Sequence, residues 1–374
     1  MTMNYKQRHI LERQLQYTRI NSMRYTEHKA YPSIENHTNK KYIDGILEDL
    51  KDIKKPVDWI ATEKIHGANV QIHVYNTPQG LGVEFGSRNK MLDLVNDNFY
   101  GLNTKHVLYP VLEEGAKLLY EKINKKYEIA IKITKIIIYG ELFGGSYPLP
   151  KKNNTGDVCI QKGVLYSPGI EFRIFDILMV FEIESNEFGK WLEIYHEVND
   201  LLAGTGLRTV PVFAWEGSLE SLLNHSFETY QSQVPSQLNL PEIPNNWIEG
   251  VVIRPSTAVL DKYGHRIMIK KKNENFHERK AVPKRGRTVP KVGTIIPNEI
   301  QEFVLSCITK QRLENIASHD GLQINQENIG QLLRSFVKDI VKEVLKDHLL
   351  EDDILKLIPK FINSRAVRLI KEYE

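Results

Sequence analysis

The chain has 374 residues, 41% of them hydrophobic and 26% charged, with a formal net charge of +3. That length suits two domains, each able to bury its own core, and so small a net charge cannot mark nucleic-acid binding, so any basic surface must be local. The two cysteines, Cys159 and Cys307, lie far apart in sequence, which excludes a disulfide framework and a cysteine-rich zinc site, and no apolar run is long enough to span a bilayer.

Residues 1–30 read as an N-terminal extension of helical or irregular character. Their start, "MTMNYKQRHILERQLQYTRINSMRY", has no apolar stretch of the secretory kind. It contains arginines and few acids, so a mitochondrial targeting function is its other reading. Residues 31–280 read as one α+β domain with largely antiparallel sheets. Strand signals recur at "VDWIAT", "VQIHVY", Ile131 to Leu142, "EFRIFDILMVFEI", "GVVIRP" and "RIMIKKK", all rich in β-branched and aromatic residues. Helices are expected in "HVLYPVLEEGAKLLYEKI" and "WLEIYHEVNDLLAGTG". The segment "YQSQVPSQLNLPEIPNN" carries three prolines and reads as a surface loop. Residues 281–297 are basic, with Pro283, Gly286 and Pro290, and read as a linker. From 298 to 374 the period turns helical. Ile300, Phe303, Val304, Cys307 and Ile308 follow three-and-four spacing, as do Ile329, Leu332, Leu333, Phe336, Val337, Ile340, Val341, Val344 and Leu345. A small all-helical second domain is expected there.

Lys64, in "EKIHGAN", sits on a turn between two expected strands. It is either a solvated loop charge or a nucleophile, since a lysine amine attacks phosphorus once its proton is lost. Gly67 would let a phosphate come close to the backbone. In "RIMIKKKNENF", alternation puts Lys270 and Lys272 on one face with Met268, and Lys271 on the other with Ile267 and Ile269. Two lysines on one face repel unless an anion lies between them; the competing reading is a solvated edge strand. Glu141 and Glu249 are expected at the ends of apolar strands, Glu141 after the run Ile136 to Tyr139 with Gly144 and Gly145 following and Glu249 directly before "GVVI"; a carboxylate there is costly unless it meets a metal, a sugar hydroxyl or a cation. Arg88 follows a short apolar stretch, and Phe175 precedes Asp176 at an expected strand end. An aromatic there can stack on a base or pack in the core.

Each signal is weak alone. In order, K-x-x-G, S-R, G-E-x-x-G, F-D-I, E-G-V-V and I-K-x-K are the pattern of the covalent nucleotidyltransferases, polynucleotide ligases and capping enzymes. Further segments narrow this. "YPSIENHTNKKYI", "EKIHGAN", "NDNFYGLN" and "IKKKNENFHERK" resemble the phage-type RNA ligase 2 family, relatives of the kinetoplastid RNA-editing ligases. The resemblance runs from about Tyr31 to Lys280 and more loosely through the helical region, where "FVLSCITKQRLENI" is similar to that family's first C-terminal helix.

The resemblance implies an ATP-grasp-like nucleotidyltransferase domain followed by a helical, nucleic-acid-engaging domain. It implies Lys64 as the adenylated nucleophile, with Glu63 beside it in the nucleotide pocket. Arg88 and Glu141 would meet the ribose and Phe175 the adenine. Glu249 would support a metal ion and activate the lysine, and Lys270 and Lys272 would hold the phosphates. His66, Asn69, Phe99 and Tyr100 match positions tied to RNA engagement or later steps. Ala68 departs from relatives that carry threonine there. The implied activity is ATP-dependent joining of 3′-OH and 5′-phosphate ends at nicks in duplex RNA, with tolerance of an RNA–DNA hybrid. ATP, Mg²⁺ or Mn²⁺, and RNA are the expected cofactors and partners. The chain is expected to act as a monomer without a membrane partner, in the cytoplasm or, on the other reading of residues 1–30, in mitochondria. The rivals are an ATP-dependent DNA ligase or capping enzyme, which would carry a C-terminal β-barrel, and a catalytically silent RNA-binding homologue.

Overall fold

The computed structural model describes residues 18–19, 30–51, 57–127, 131–149, 157–183, 186–261, 265–276, 296–325, 327–347 and 352–371. Most of the expected N-terminal extension and of the basic linker lies outside these residues. The chain divides into two compact units, Met1–Asn273 and Glu274–Glu374.

In chain order the first unit holds β1 (Thr18–Arg19), β2 (Glu35–Asn36), α1 (Lys40–Lys51), β3 (Trp59–Glu63), β4 (Ala68–Thr77), β5 (Gly80–Ser87), β6 (Met91–Leu92) and α2 (Leu108–Tyr127). It continues with β7 (Lys132–Ser146), β8 (Ser167–Ile183), β9 (Asn186–Trp191), β10 (Val212–Gly217), α3 (Leu219–Asn224), α4 (Val234–Gln237), β11 (Gly250–Pro255) and β12 (Ile269–Lys272). These strands form two sheets. The larger has the order β1-β9-β8-β7-β4-β5-β6 and is antiparallel throughout; the smaller has the order β10-β3-β11-β12-β2, antiparallel except where β12 meets β2.

Alternation explains the layers. Val70, Ile72 and Val74 of β4 are fully buried against Leu112, Ala116, Leu119 and Ile123 of α2, whose spacing forms one helical stripe. Each such aliphatic contributes roughly 1.5–3 kcal/mol by leaving water. On the smaller sheet, Trp59, Ala61, Val251, Ile253 and Ile269 face a core completed by Ile46 of α1 and Leu219 and Leu222 of α3. The opposite face of that sheet carries Val252 and Met268, which pack with Tyr31, Ile137, Tyr139, Leu178 and Val180 in a layer between the two sheets. Asp176, fully buried in this layer, accepts a hydrogen bond from Tyr31 Oη (2.9 Å) and pairs with Arg266.

Three expectations are corrected. Residues 191–206 are not an α-helix: β9 ends at Trp191, and 194–202 makes two short irregular turns, stopped by Gly204 and Gly206, both at φ 75°. Glu141 and Phe175 lie within strands rather than at their ends, because β7 runs on through Gly144 and Gly145 (φ 98° and 80°) and β8 continues to Ile183. The proline-rich segment holds the turn α4, with Val234 and Pro235 buried.

The second unit comprises α5 (Asn298–Cys307), α6 (Lys310–Asp320), α7 (Ile329–Asp347) and α8 (Asp352–Lys371), with no strand among its described residues. Thr309 caps α6 by accepting from Arg312 N (3.1 Å). Ile300, Val304 and Cys307 meet Leu332, Phe336, Ile340 and Val344 in its core, while Leu345, expected on the same stripe, is exposed.

Candidate active site

Lys64 leaves the end of β3 with its backbone fixed on both sides. Glu63 N donates to Pro211 O (2.8 Å) and Lys64 N donates to Gly250 O (2.9 Å). The chain then passes so close to β7 that a Cβ on Gly67 would lie 2.2 Å from Leu142 O. Only glycine fits there, and its N–H donates to the Glu141 carboxylate. On the neighbouring strand, Gly250 sits at φ 152°, where a Cβ would lie 2.2 Å from Lys271 O. This backbone sets the carboxylate of Glu249, just before β11, against the lysines.

Glu249 is 1% exposed, and its Oε2 lies 2.5 Å from Lys64 Nζ. Its Oε1 lies 3.3 Å from Lys272 Nζ. Burial alone would raise its pKa, but the charges of Lys64, Lys272 and His66 outweigh burial and hold it at about 2. Glu141 behaves oppositely. Burial pushes it up to about 7, with Lys64 pulling it down and Glu249 pushing it up. At neutral pH one carboxylate of the cluster is firmly ionised and the other is poised to titrate.

Lys270 and Lys272 occupy the cleft face of β12, paired with Val252 and Gly250. Lys271 points the other way, donating to Leu223 O (2.6 Å) and His225 O (2.7 Å). The larger sheet answers with a row of polar residues. Asn69 pairs with Glu141 and Glu141 with Arg173, while Arg88 follows Ser87 at the adjoining end of β5. Burial lowers the pKa of the Arg88 guanidinium, partly offset by Glu141. The Oδ1 of Asn69 is buried without a hydrogen-bond partner. Phe175 is half-buried, its ring edge-on to Tyr31 at 4.9 Å.

Four expected residues sit differently from a simple lining. The Glu63 carboxylate is 1% exposed and turns away from Lys64 to accept from Gln233 N (3.1 Å). Burial raises its pKa to about 7, against the pull of Ser232, Gln233 and Arg173. His66 is buried, with its N–H donating to Tyr166 Oη (2.8 Å). Phe99 is buried in the core of the larger sheet's cluster, so its ring is not presented to solvent. Tyr100 beside it is half-buried at φ 52°, with the two rings edge-on at 5.0 Å. Sequence reasoning missed Tyr166 and Arg173; the signal for Arg173 was a lone charge in the apolar run "EFRIFDI".

A model of the RNA ligase family matches residues 57–272, more than half of the chain. The chain belongs to the RNA ligase family. A second model, for the C-terminal region of T4 RNA ligase 2, matches residues 292–367. The mitochondrial RNA-editing ligase 2 of Trypanosoma brucei brucei is 25% identical over 395 residues, covering 91% of this chain and 88% of the relative. RNA-editing ligase 1 of the same organism, also mitochondrial, is 25% identical over 350 residues, covering 80% and 72%. Among solved structures, a mutant Naegleria gruberi RNA ligase with ATP and Mn is 17% identical with a TM-score of 0.38, covering 70% of this chain; the chain spans 61% of that protein. The family is an enzyme family, and this RNA ligase has the mixed fold described above. None of its described helices is long and apolar enough to cross a membrane.

Among the described residues no three His, Cys, Asp or Glu side chains converge on one metal position. Glu249 and Glu141 bring carboxylate oxygens to Lys64. That set fits a hard divalent ion held mainly by substrate phosphates and water, the usual habit of Mg²⁺.

Proposed function

We propose that the chain is an ATP-dependent RNA ligase that works through a covalent lysyl-AMP on Lys64 and seals 3′-OH/5′-phosphate nicks in duplex RNA. The observation that carries this reading is the Lys64–Glu249–Lys272 cluster, a lysine held at 2.5 Å by a carboxylate that a second lysine keeps ionised. In the first step the Lys64 nitrogen attacks the α-phosphorus of ATP. An N–P bond forms, the P–O bond to pyrophosphate breaks, and the lysine proton passes to solvent. AMP then moves to the 5′-phosphate of the RNA, and the 3′-hydroxyl displaces it.

Glu249 orients the amine before attack. Lys270 and Lys272 face the phosphates and offset the charge that spreads over their oxygens. Arg88 and Glu141 border the ribose, with Phe175 against the base and Glu63 supporting the strand that bears Lys64. Asn69 and Tyr100 are placed for RNA, with His66 and Phe99 acting from beneath as supports. A divalent ion, Mg²⁺ or Mn²⁺, would be held at Glu249 and would neutralise charge on the phosphates.

Residues 31–280 form the adenylyltransferase part in this reading. The basic linker and residues 298–374 engage the RNA backbone, which makes affinity fall with salt. An A-form duplex is recognised by shape and 2′-hydroxyls, and an RNA–DNA hybrid is accepted when ribose lies on the 3′-OH side. The four helices of the second unit favour this over the rivals that carry a β-barrel. Sealing of nicks ending in ribose or deoxyribose tests the reading. Ribose should be preferred at least tenfold; equal rates would contradict the RNA assignment.

A further inference from the structure

A second cavity, of about 460 Å³, opens beside the strand that bears the nucleophile. Its lining includes Arg173, Arg208, Asn199, Thr209, Tyr195 and Gln237 and contains no carboxylate. None of Lys64, Glu249, Lys270 and Lys272 lines it.

Arg173 is the unusual member. Its side chain is 2% exposed, and its Nε and Nη2 are buried with no hydrogen-bond partner. Such groups are rare, because burial removes water without supplying a substitute. Burial, with the nearby Arg208 acting in the same direction, lowers its pKa to about 10 against the opposing pull of Glu171 and Glu63. Glu171 acts electrostatically on both Arg173 and Arg208, and Glu63 acts on Arg173, but both carboxylates lie outside the cavity's lining. Arg208 is exposed at the rim, oriented by donation from Nη1 to Gln237 O (3.1 Å). A third cation, Lys122, donates to the carbonyl of Ala203, another lining residue. Glu171 offsets part of the repulsion between the two guanidinium groups from outside the lining, the buried Nε and Nη2 of Arg173 stay without a hydrogen-bond acceptor, and guanidinium geometry suits oxyanions.

We propose that this cavity binds a phosphate-class oxyanion on Arg173 and Arg208, at a site distinct from the lysine cluster. Its floor is tied to both strands that face the nucleotide. Val210 N donates to Ile174 O (2.9 Å), next to Phe175, and Pro211 O accepts from Glu63 N (2.8 Å), next to Lys64. The anion is either a phosphodiester of the RNA, which rests on the ligase reading, or free phosphate, which does not.

The test uses the full chain with Arg208→Ala and Arg173→Met. Binding of inorganic phosphate is measured by calorimetry, and binding of a nicked RNA duplex by fluorescence anisotropy across a salt series. Lysyl-AMP formation is followed in the same preparations, so loss of the ligase reading shows there independently. Arg208→Ala should weaken at least one of the two ligands fivefold or more. Arg173→Met should weaken it further without lowering Tm, because a structural ion-pair partner would be missed and an unpartnered charge is not. If duplex affinity falls and the slope of log K against log salt shrinks by about 0.7–0.9, the anion is an RNA phosphate. If phosphate binding alone falls, it is the free ion. If both variants bind phosphate and duplex as the native protein does, the proposal is overturned; Arg208 is exposed, so its variant decides even if Arg173→Met misfolds.

Discussion

Glu249→Gln removes one charge from the active site and keeps its shape. The carboxylate touches Lys64 at 2.5 Å and Lys272 at 3.3 Å, and the lysines overcome burial to hold its pKa at about 2 against an ordinary 4.5. That difference corresponds to roughly 3 kcal/mol in favour of the ionised form. The folded pKa is the lower one, so this stabilisation is complete above the unfolded pKa and is lost as pH falls toward 2. The deficit of Glu249→Gln should therefore be about 3 kcal/mol at pH 7 and shrink to about 2 kcal/mol by pH 3.5. In a unit of this size that is a fall in Tm of roughly 5–10 °C at pH 7. Catalytically, an amine no longer held by an anion should form lysyl-AMP at least about 100-fold more slowly. Thermal unfolding across pH and single-turnover adenylation measure the two effects. A variant that adenylates within threefold of the native rate would refute the role given to Glu249.

The two faces of β12 give a sharp contrast: Lys270→Ala and Lys272→Ala should each slow adenylation tenfold or more, whereas Lys271→Ala, which loses its bonds to Leu223 O and His225 O and its contact with the Phe227 ring, should cost about 1–3 kcal/mol of stability and leave the rate within twofold. Gly250→Ala should cost on the order of 1–3 kcal/mol, since φ is 152° and the new Cβ would meet Lys271 O, and should slow adenylation by displacing Glu249; urea unfolding and the same adenylation assay check it. Burial raises Glu63 to about 7, so native stability is lost as pH rises from its unfolded value to 7. Glu63→Gln should then raise Tm at pH 8 and leave it nearly unchanged at pH 4, below the unfolded value, and equal shifts at both would contradict the buried, titrating carboxyl.

Much of the cleft was legible because strand alternation is a strict rule. It separates Lys270 and Lys272 from Lys271, and it places Val70, Ile72 and Val74 together against a helix whose stripe is equally plain. The order of the charged motifs carried the family. What alternation cannot give is where a strand stops. Gly144 and Gly145 read as a terminator after Glu141, yet β7 absorbs them at positive φ and continues. Nor does local pattern reveal which aromatic is covered: Phe99 and Tyr100 are adjacent and similar, yet the first is buried in the core and the second only half-buried against it. The segment 191–206 has helical composition, but its glycines at φ 75° break the regular period. Tyr166 stands just before β8 and Arg173 within it, far in sequence from His66 and Glu63, so their contacts come from the tertiary fold and no local pattern announces them.

The central claim is that Lys64 is a nucleophile. Purified protein and its Lys64→Ala variant should be incubated with ATP and Mg²⁺, without nucleic acid, and their intact masses recorded, with a parallel sample first treated with pyrophosphate to strip any AMP already bound. The account predicts a gain of one AMP in the native protein alone, mapped to the peptide containing Lys64. No adduct on the stripped native protein, or an equal adduct on Lys64→Ala, would contradict it.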